Sequence, residues 1–369
     1  MTTASMRRGV GTPTEDGGTQ GRSFWSALAS RLVVNARRSS VLVCGGTGFV
    51  GRALTERLAR DGNAPRVLAR QPHAARTVLP KTVDVFEGDL VKGTGVTAAL
   101  EGVSVAFYLV HSMGARLRGR DFAESDRRAA ANFTEAASRA GVDRVIYLGG
   151  LGDDAPRSSD HLASRREVAR ILRSGSASVT QLRAGIVVGS GGASFEMMAQ
   201  LVERLPVMIC PRWIDRRCQP IALGDLIEYL VGCLRESGTR AETLDVGGPD
   251  VLRYSEMLMR IGRWLRRPPV LVILPAFTPG LSAHWVGYIT EVAPELARPI
   301  IDGMYVDAVC RDDRIRQLLP IPLQGFDRAA SDALAARARS ARPPRLRGGR
   351  WVRPLEGRIF RLTRSSDIS

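Results

Sequence analysis

The sequence predicts an α/β protein built on a doubly wound parallel sheet, followed by a smaller and more irregular C-terminal subdomain. Strands and helices alternate between residues 40 and 190, which is typical of parallel sheets whose crossover connections are helices. A glycine-rich turn joins the first strand to the first helix. The alternation weakens after residue 190, where short apolar pieces separate longer helical segments.

Six segments of the first half have the length and composition of buried strands. The segment at 103–110 is apolar along almost its whole length, as expected of a strand buried on both faces of a parallel sheet. The six predicted strands cover residues 40–44, 66–69, 83–87, 103–110, 143–148 and 179–188.

Helices are predicted between these strands. Leu54 and Leu58 share one face of a helix at 52–60, and alanines with Phe133 form a narrow packing face at 121–140. Right-handed crossovers would place the carboxyl ends of the strands at one edge of the sheet, where such folds bind their ligands.

The second half is predicted to form the irregular subdomain, over residues 191–334, with late strands returning to the sheet. Its apolar pieces and helices are predicted at 205–209, 219–223 and 244–246, and at 194–204, 225–236 and 255–265. The helix at 225–236 would begin with Asp225 as its N-cap.

Composition places the chain among ordinary globular proteins. Its 369 residues are 44% hydrophobic and 24% charged, which excludes a disordered chain and a disulfide-stapled miniprotein. The net charge of +16 is concentrated at the ends, because residues 1–40 hold six arginines against two acidic residues and residues 337–369 hold ten against two. The body is therefore only weakly basic, and we expect no specific nucleic-acid partner.

The cysteines indicate neither a disulfide framework nor a metal site. Their number is odd, and they form no CxxC pair or Cys/His cluster. We expect no bound metal and a reducing, cytoplasmic environment. The five are Cys44, Cys210, Cys218, Cys233 and Cys310.

Both ends of the chain are predicted to be basic extensions. Residues 1–39 are predicted to be mobile; they lack the apolar core of a signal peptide, and a transit peptide is the alternative. The segment 24–33 is either a helix packed on the body or an amphipathic segment on an anionic membrane. Residues 335–369 form a tail rich in Arg, Pro and Gly.

The longest uncharged run covers residues 268–290. Four prolines interrupt it, so we predict apolar loops and short helices over a pocket or a partner surface rather than a transmembrane helix. A basic-aromatic patch precedes this run, formed by Arg212, Arg216 and Arg217 around Trp213. It is either solvated charge or a site for an anionic substrate or lipid headgroup.

The glycine-rich turn is the strongest local motif, because its GxxGxxG spacing lies between a strand and a helix. Glycine is required where the backbone turns sharply, approaches a pyrophosphate and packs a helix closely on a strand. The amides at the start of the helix then face the phosphates. The turn therefore predicts a Rossmann-type dinucleotide site formed by Gly45, Gly46, Thr47, Gly48, Phe49, Val50 and Gly51.

A cation follows the second strand at the position that discriminates between the two nicotinamide coenzymes. An acidic residue there would hydrogen-bond the ribose 2′-hydroxyl of NAD, whereas Arg70 suits the 2′-phosphate of NADP. Arg52, just after the turn, would assist. We predict NADP(H) as the preferred cofactor and NAD(H) as the alternative.

Motifs at the strand ends complete a pattern that resembles the short-chain dehydrogenase/reductase (SDR) superfamily, in its atypical NmrA-like branch near the YbjT-like NAD(P)-binding proteins. The resemblance covers about residues 40–330. Beside the glycine-rich turn, it rests on residues 88–90, 107–112, 145–150, 181–183, 219–225 and 245–249.

The resemblance implies further cofactor contacts and makes the subdomain at 191–334 the substrate side. Asp89 and Leu90 would contact the adenine. Leu109, Val110 and His111 would line the nicotinamide half of the site.

The sequence departs from this family at the catalytic positions, which usually hold Ser, Tyr and Lys. Gly149 and Gly150 occupy the serine positions, His161 the tyrosine position and Arg165 the lysine position. His161 is a candidate proton donor and Arg165 a candidate ligand of the nicotinamide ribose, or both are ordinary helix-surface residues. His111 is either a third catalytic candidate or a core histidine.

Three functions therefore remain open. The first is an NADPH-dependent oxidoreductase acting on an unknown small carbonyl or quinone-like substrate. The second is a non-catalytic sensor of the NADP redox state. The third is a membrane-peripheral accessory protein resembling the SDR-like subunit of respiratory complex I, in contact with an anionic membrane through its basic ends.

Overall fold

The computed structural model describes residues 40–111, 121–152, 159–274, 290 and 294–340. The predicted N-terminal extension, the segment 24–33 and residues 341–369 of the predicted tail lie outside the described residues. Within the described ranges, none of the helices is both long and apolar enough to cross a lipid bilayer.

The first half alternates strands with helices, as predicted. The elements are β1 (Ser40–Cys44), α1 (Phe49–Arg60), β2 (Arg66–Ala69), α2 (Pro72–Val78), β3 (Asp84–Glu87), α3 (Val96–Leu100), β4 (Val103–Tyr108), α4 (Asp121–Arg139), β5 (Arg144–Gly150), α5 (Asp160–Arg173), β6 (Ser178–Ala184) and β7 (Val187–Val188).

The second half is more irregular and mixes short strands with helices. The elements are α6 (Ala193–Arg204), β8 (Val207–Pro211), β9 (Arg217–Cys218), β10 (Ile221–Ala222), α7 (Leu223–Arg235), β11 (Thr243–Val246), β12 (Leu252–Arg253), α8 (Tyr254–Trp264), β13 (Val270–Leu274), α9 (Pro294–Gly303), α10 (Arg314–Leu318) and α11 (Phe326–Ser340). Single 3₁₀ turns follow β8 and α7.

Seven parallel strands form the main sheet, in the order β3-β2-β1-β4-β5-β6-β11. The central register places Val43 of β1 between Val67 of β2 and Phe107 of β4. The chain changes direction across the sheet between β1 and β4, and in doubly wound folds such a point opens a crevice at the carboxyl ends of the strands. The predicted fold class is confirmed.

Helices cover both faces of the sheet, and β1 shows how the sequence achieves this. Val41 and Val43 enter one hydrophobic cluster with α1, α2 and α7, while Leu42 and Cys44 enter another with α4 and α5. A strand buried on both faces must be continuously apolar. The small-residue face of α4 is buried as predicted, through Ala129, Ala130, Phe133, Ala136 and Ala137.

The sixth predicted strand, at 179–188, was wrong as a single element. The main sheet keeps β6 only to Ala184, whose carbonyl accepts from the Leu151 amide. The chain then bends at Gly185, and β7 pairs with β10 in a separate two-stranded sheet. The segment resembles a single strand in sequence because both pieces are largely buried, although they lie in different sheets.

Three further predictions need correction. The run at 268–290 begins with a strand, β13, which pairs in parallel with β8, rather than with loops and short helices; residues 275–289 lie outside the described residues. Asp225 does not cap α7, which begins at Leu223; its carboxylate instead accepts from the Gln324 amide at 2.7 Å. The predicted tail begins inside α11, which runs to Ser340.

Candidate active site

The glycine-rich turn has the shape of a phosphate cradle. Gly45 has φ +84°, a conformation that favours glycine, and its carbonyl accepts from the Gly48 amide at 3.0 Å. A Cβ on Gly51 would overlap that same Gly45 carbonyl oxygen, so the close contact of α1 with the turn requires glycine there as well. Gly48 precedes α1 without a side-chain cap, and the first turn holds no acidic residue. The amides at the start of α1 therefore suit an anion.

A cleft of about 480 Å³ opens beside this turn, at the carboxyl ends of the central strands. It brings together most of the residues that the sequence singled out, from both the cofactor and the catalytic predictions. Those residues are Gly45, Gly48, Phe49, Val50, Gly51, Leu109, His111, His161 and Arg165.

His161 and Arg165 lie one helical turn apart on α5 and both line the cleft. The helix begins after Ser159, whose hydroxyl accepts from the Leu162 amide at 3.4 Å and caps the helix N-terminus. Arg165 donates from Nη1 to the Leu148 carbonyl at 2.9 Å, while its own carbonyl accepts from the Tyr147 hydroxyl at 3.0 Å. Two hydrogen bonds to β5 therefore hold this turn of α5 against the sheet.

Two buried polar atoms of this pair have no hydrogen-bond partner in the described part of the chain, namely His161 Nδ1 and Arg165 Nε. Buried polar atoms are normally satisfied, so two orphans in the wall of one cleft fit a bound polar ligand. Desolvation, and then the positive charge of Arg165, lower the pKa of His161 well below its usual value. The imidazole is therefore neutral at physiological pH, so a proton that His161 donates would come from its neutral N–H.

His111 follows β4 and lines the same cleft. Desolvation by burial, and then the positive charge of Arg165, lower the pKa of His111 to about 3. Two neutral imidazoles and one guanidinium consequently meet in the cleft. A negatively charged ligand would be attracted by Arg165, and its charge would raise the pKa of both histidines.

The glycines at the predicted serine positions are closely surrounded. A Cβ on Gly149 would approach Gln181 Nε2 to 2.8 Å, and a Cβ on Gly150 would approach Leu162 Cδ2 to 3.0 Å. Both glycines line the cleft. The usual serine hydroxyl is thus absent from both positions, and any oxyanion contact must come from another group.

Phe49 has a second role that the motif does not reveal. A Cβ on Gly189 or on Gly192 would approach the Phe49 ring to 2.9 Å, so the ring packs directly on the loop between β7 and α6. That loop lines the opposite wall of the cleft through Gly191 and Gly192. One aromatic residue therefore connects the glycine-rich turn to the opposite wall of the cleft.

Several other predicted cofactor residues lie outside the cleft lining. Arg70 is exposed after β2, and Arg52 is exposed and paired with Glu56 at 2.9 Å. Thr47 is exposed, and Gly46 is buried where a Cβ would approach Val67 Cγ2 to 2.6 Å.

The remaining three predicted cofactor residues have structural contacts of their own. Asp89 Oδ1 accepts from the amides of Val91 and Lys92 at 2.8 and 3.3 Å, so this carboxylate shapes its own turn. Leu90 is buried and Val110 is half-buried, both against the hydrophobic cluster of α4 and α5.

Sequence reasoning missed the far wall of the cleft. Tyr254 from the start of α8, Pro299 and Ile300 from α9, and Met304 just after α9 line it, together with Ser194 of α6. No local motif marks these residues, since they reach the cleft only through the packing of the second half. In the described part of the chain, no group of His, Cys, Asp and Glu could hold a metal ion.

Comparison with known proteins agrees with this geometry. A family model described as NAD(P)H-binding matches residues 45–192. Ceramide reductase from Caulobacter vibrioides is 32% identical over 172 residues, covering 46% of this chain; the chain spans about half, 53%, of that reductase. The (4-alkanoyl-5-oxo-2,5-dihydrofuran-3-yl)methyl phosphate reductase of Streptomyces griseus is 27% identical, covering 62% of this chain and 74% of the relative.

A longer but weaker similarity is to NADH dehydrogenase [ubiquinone] 1 alpha subcomplex subunit 9 of Arabidopsis thaliana, at 23% identity over 88% of this chain and 87% of the relative. Among solved structures, the triphenylmethane reductase of Citrobacter sp. complexed with NADP(H) superposes with a TM-score of 0.64 at 17% identity, over 80% of this chain and 99% of that one. The cofactor cradle, the parallel sheet and these relatives agree. Residues 45–192 therefore carry an NAD(P)H-binding domain, which supports the predicted resemblance to the atypical, NmrA-like branch of the short-chain dehydrogenase/reductase superfamily.

Proposed function

We propose that this protein is an NADPH-dependent reductase of a small, largely apolar carbonyl compound. The observation that carries the proposal is that the phosphate turn, His161 and Arg165 share one cleft, so cofactor and proton donor would meet there. The cleft is also lined by apolar side chains, namely Ile186 from the bend between β6 and β7, and Ile300 and Met304 from the second half. Such a wall suits the carbon skeleton of a substrate whose polar end faces α5.

The residues fit a bound nicotinamide cofactor. The amides at the start of α1 would hold the diphosphate, and the two buried orphan atoms on His161 and Arg165 would gain partners from the ribose, the carboxamide or the substrate. When bound, the reduced cofactor supplies a hydride to the carbonyl carbon.

Negative charge then develops on the carbonyl oxygen, which must gain a proton. His161, held neutral by desolvation and by Arg165, would donate its N–H to that oxygen. The alkoxide is a strong base, so it can take this proton from a neutral imidazole, which recovers a proton from solvent. Arg165 would stabilise the negative charge electrostatically in the partly desolvated cleft.

Hydride transfer is tested with the purified full chain and NADPH, against a panel of ketones, enals and quinones. Substrate-dependent loss of the absorbance of the reduced nicotinamide is the expected result. Tight NADPH binding without transfer to any member of the panel would contradict the reductase assignment.

The absence of a hydroxyl at Gly149 and Gly150 favours a second candidate, a non-catalytic sensor of the NADP redox state. A sensor must bind NADPH and NADP⁺ with different affinities, because a ligand acts on a conformational equilibrium only through differential binding. Equal affinities, measured by calorimetry on the same preparation, would exclude the sensor.

Replacing His161 with glutamine is expected to lower the hydride-transfer rate constant by roughly a hundredfold to a thousandfold, as loss of an oxyanion donor does. Because the pKa of His161 is lowered, the rate of the parent protein should be flat between about pH 6 and pH 8. An imidazolium donor would instead make the rate fall as the pH rises through its pKa. Single-turnover kinetics measure both effects, and His73→Gln, on the exposed surface of α2, is the control.

Replacing Arg70 with glutamine is expected to weaken NADPH binding by roughly tenfold to a hundredfold, while NADH binding stays unchanged. The reason is the loss of one charge-assisted contact to the 2′-phosphate, about 1.5–3 kcal/mol. Fluorescence titration with both cofactors measures the effect. Arg60→Gln, at the opposite end of α1, is the matched control. Equal weakening of both cofactors would show that Arg70 does not read the 2′-phosphate.

A further inference from the structure

The two-stranded sheet of β8 and β13 exposes an apolar face. Val207 and Ile209 of β8, and Val270 and Val272 of β13, are each between 40% and 59% exposed. The register places Val270 opposite Val207, and Val272 opposite Ile209, so the four side chains share one face. We call these four residues the ribbon face.

The opposite face of this ribbon packs on the body of the protein, except at Ile273, which is 44% exposed. Met208 and Cys210 of β8 are buried, and Leu271 of β13 packs against the same hydrophobic cluster, which includes α6, α8 and α11. Parallel strands such as these are normally covered on both faces. Four β-branched apolar side chains on the solvent face mark a contact surface.

Arginines surround the ribbon face. The strands are parallel, so both begin at the same end, where Arg204 precedes β8 and Arg266 and Arg267 precede β13. At the other end, Arg212 directly follows β8. All four arginine side chains are exposed.

The last turn of α8 lies beside the basic end of the ribbon, because the chain folds back tightly after the helix. A Cβ on Gly262 would approach Pro269 Cδ to 2.7 Å, which places the start of β13 against α8. Trp264, the last residue of α8, is 50% exposed. Proteins that bind the membrane interface typically expose tryptophan and arginine next to an apolar surface.

Arg266 occupies a position that would suit glycine better. It follows α8 with φ 55°, in the left-handed region, and its amide bonds the Arg263 carbonyl at 3.1 Å. A side chain in this conformation is strained, and helices usually end there with glycine. A glycine at this position would relieve the strain and remove one of the charges around the ribbon face. The substitution therefore changes the charge without destabilising the fold.

We propose that the ribbon face is the docking surface for an anionic lipid bilayer. The apolar side chains would enter the interface, and the arginines around them would contact lipid phosphates. A second copy of the chain fits less well, because it would place its own exposed arginines against the arginines around the ribbon face. The proposal concerns a surface separate from the cleft and does not depend on reductase activity.

The test is co-sedimentation of the purified full chain with phosphatidylcholine vesicles that contain phosphatidylglycerol, compared with pure phosphatidylcholine. A fourfold variant, Val207→Thr, Ile209→Thr, Val270→Thr and Val272→Thr, keeps the β-branched shape and removes apolar surface. We expect its partitioning onto anionic vesicles to fall at least about tenfold, since each exposed methyl contributes to insertion.

Arg266→Gly is the second variant and controls for folding. We expect its partitioning to fall about fivefold, the factor for one basic residue at an anionic surface, and its thermal midpoint to stay equal or rise. Arg128→Gln, an exposed residue of α4, is the matched control and should partition like the parent.

Three outcomes would overturn the proposal. Unchanged partitioning of both variants would assign vesicle binding to other basic segments. A dimer of the parent that dissociates in the threonine variant would make the ribbon face a contact between copies. A lower thermal midpoint of the threonine variant with unchanged partitioning would mean that the chain itself covers the face.

Discussion

Replacing Gly51 with alanine is expected to abolish detectable NAD(P)H binding. The added Cβ would overlap the Gly45 carbonyl oxygen, which is a backbone atom and cannot move without opening the turn. The amides at the start of α1 would then lose their alignment on the diphosphate. We expect a loss of about 3 kcal/mol in the free energy of unfolding from overpacking. Affinity should fall by at least about a hundredfold, since each lost charge-assisted contact removes about 1.5–3 kcal/mol.

Fluorescence titration with NADPH and thermal unfolding measure these two effects separately. Gly224→Ala is the matched control, because a Cβ at this position of α7 meets no atom within 4 Å. Alanine should raise stability there by about 0.5–1 kcal/mol, as it does in open helical positions. Tight NADPH binding by a folded Gly51→Ala protein would contradict the placement of the diphosphate at this turn.

Replacing Asp245 with alanine is expected to cost about 3–5 kcal/mol of stability, as the loss of one partner of a buried ion pair does. The Asp245 side chain is only 1% exposed and accepts from Arg183 Nε at 2.7 Å, and Arg183 is 14% exposed. Its second oxygen accepts from the Arg311 amide at 3.0 Å. The substitution would leave a buried guanidinium without its carboxylate, at the seam where β11 joins β6.

Urea unfolding measures this loss. Asp143→Ala is the control, because the Asp143 pair with Arg240 lies at the surface, where water and salt screen it. That variant should unfold at nearly the same urea concentration as the parent. Equal and small effects of both substitutions would mean that the Arg183–Asp245 pair does not anchor β11 to the sheet.

The first half of the fold could be predicted because its signals are local. β1 and β2 match their predicted ranges, since each is a short apolar run ended by a turn that glycine or a polar residue marks. Prediction failed where contacts with residues far along the chain determine the structure. The prolines before β13 predict loops and short helices there, yet this segment pairs with β8 through contacts that no local pattern encodes. Asp225 resembles an N-cap in sequence, but Gln324, far along the chain, determines its role.

In the candidate site, too, features with a local sequence signal could be predicted and features set by distant contacts could not. The phosphate turn could be located because glycine spacing reports backbone geometry directly. The ionisation of His161 could not, because it depends on burial and on its distance from Arg165. The wall formed by α9 and the following Met304 could not be predicted for a related reason, since Ile300 and Met304 reach the cleft from more than a hundred residues beyond α5.

Phe49 belongs to the glycine-rich turn and packs its ring on the loop before α6, which has a consequence for the order in which ligands bind. A coenzyme that tightens the turn would also hold the ring, and the ring would restrain the loop that borders the second ligand. Thermodynamic reciprocity then requires that the second ligand strengthen coenzyme binding by the same factor. A smaller side chain at this position would uncouple the two binding events while leaving each pocket intact.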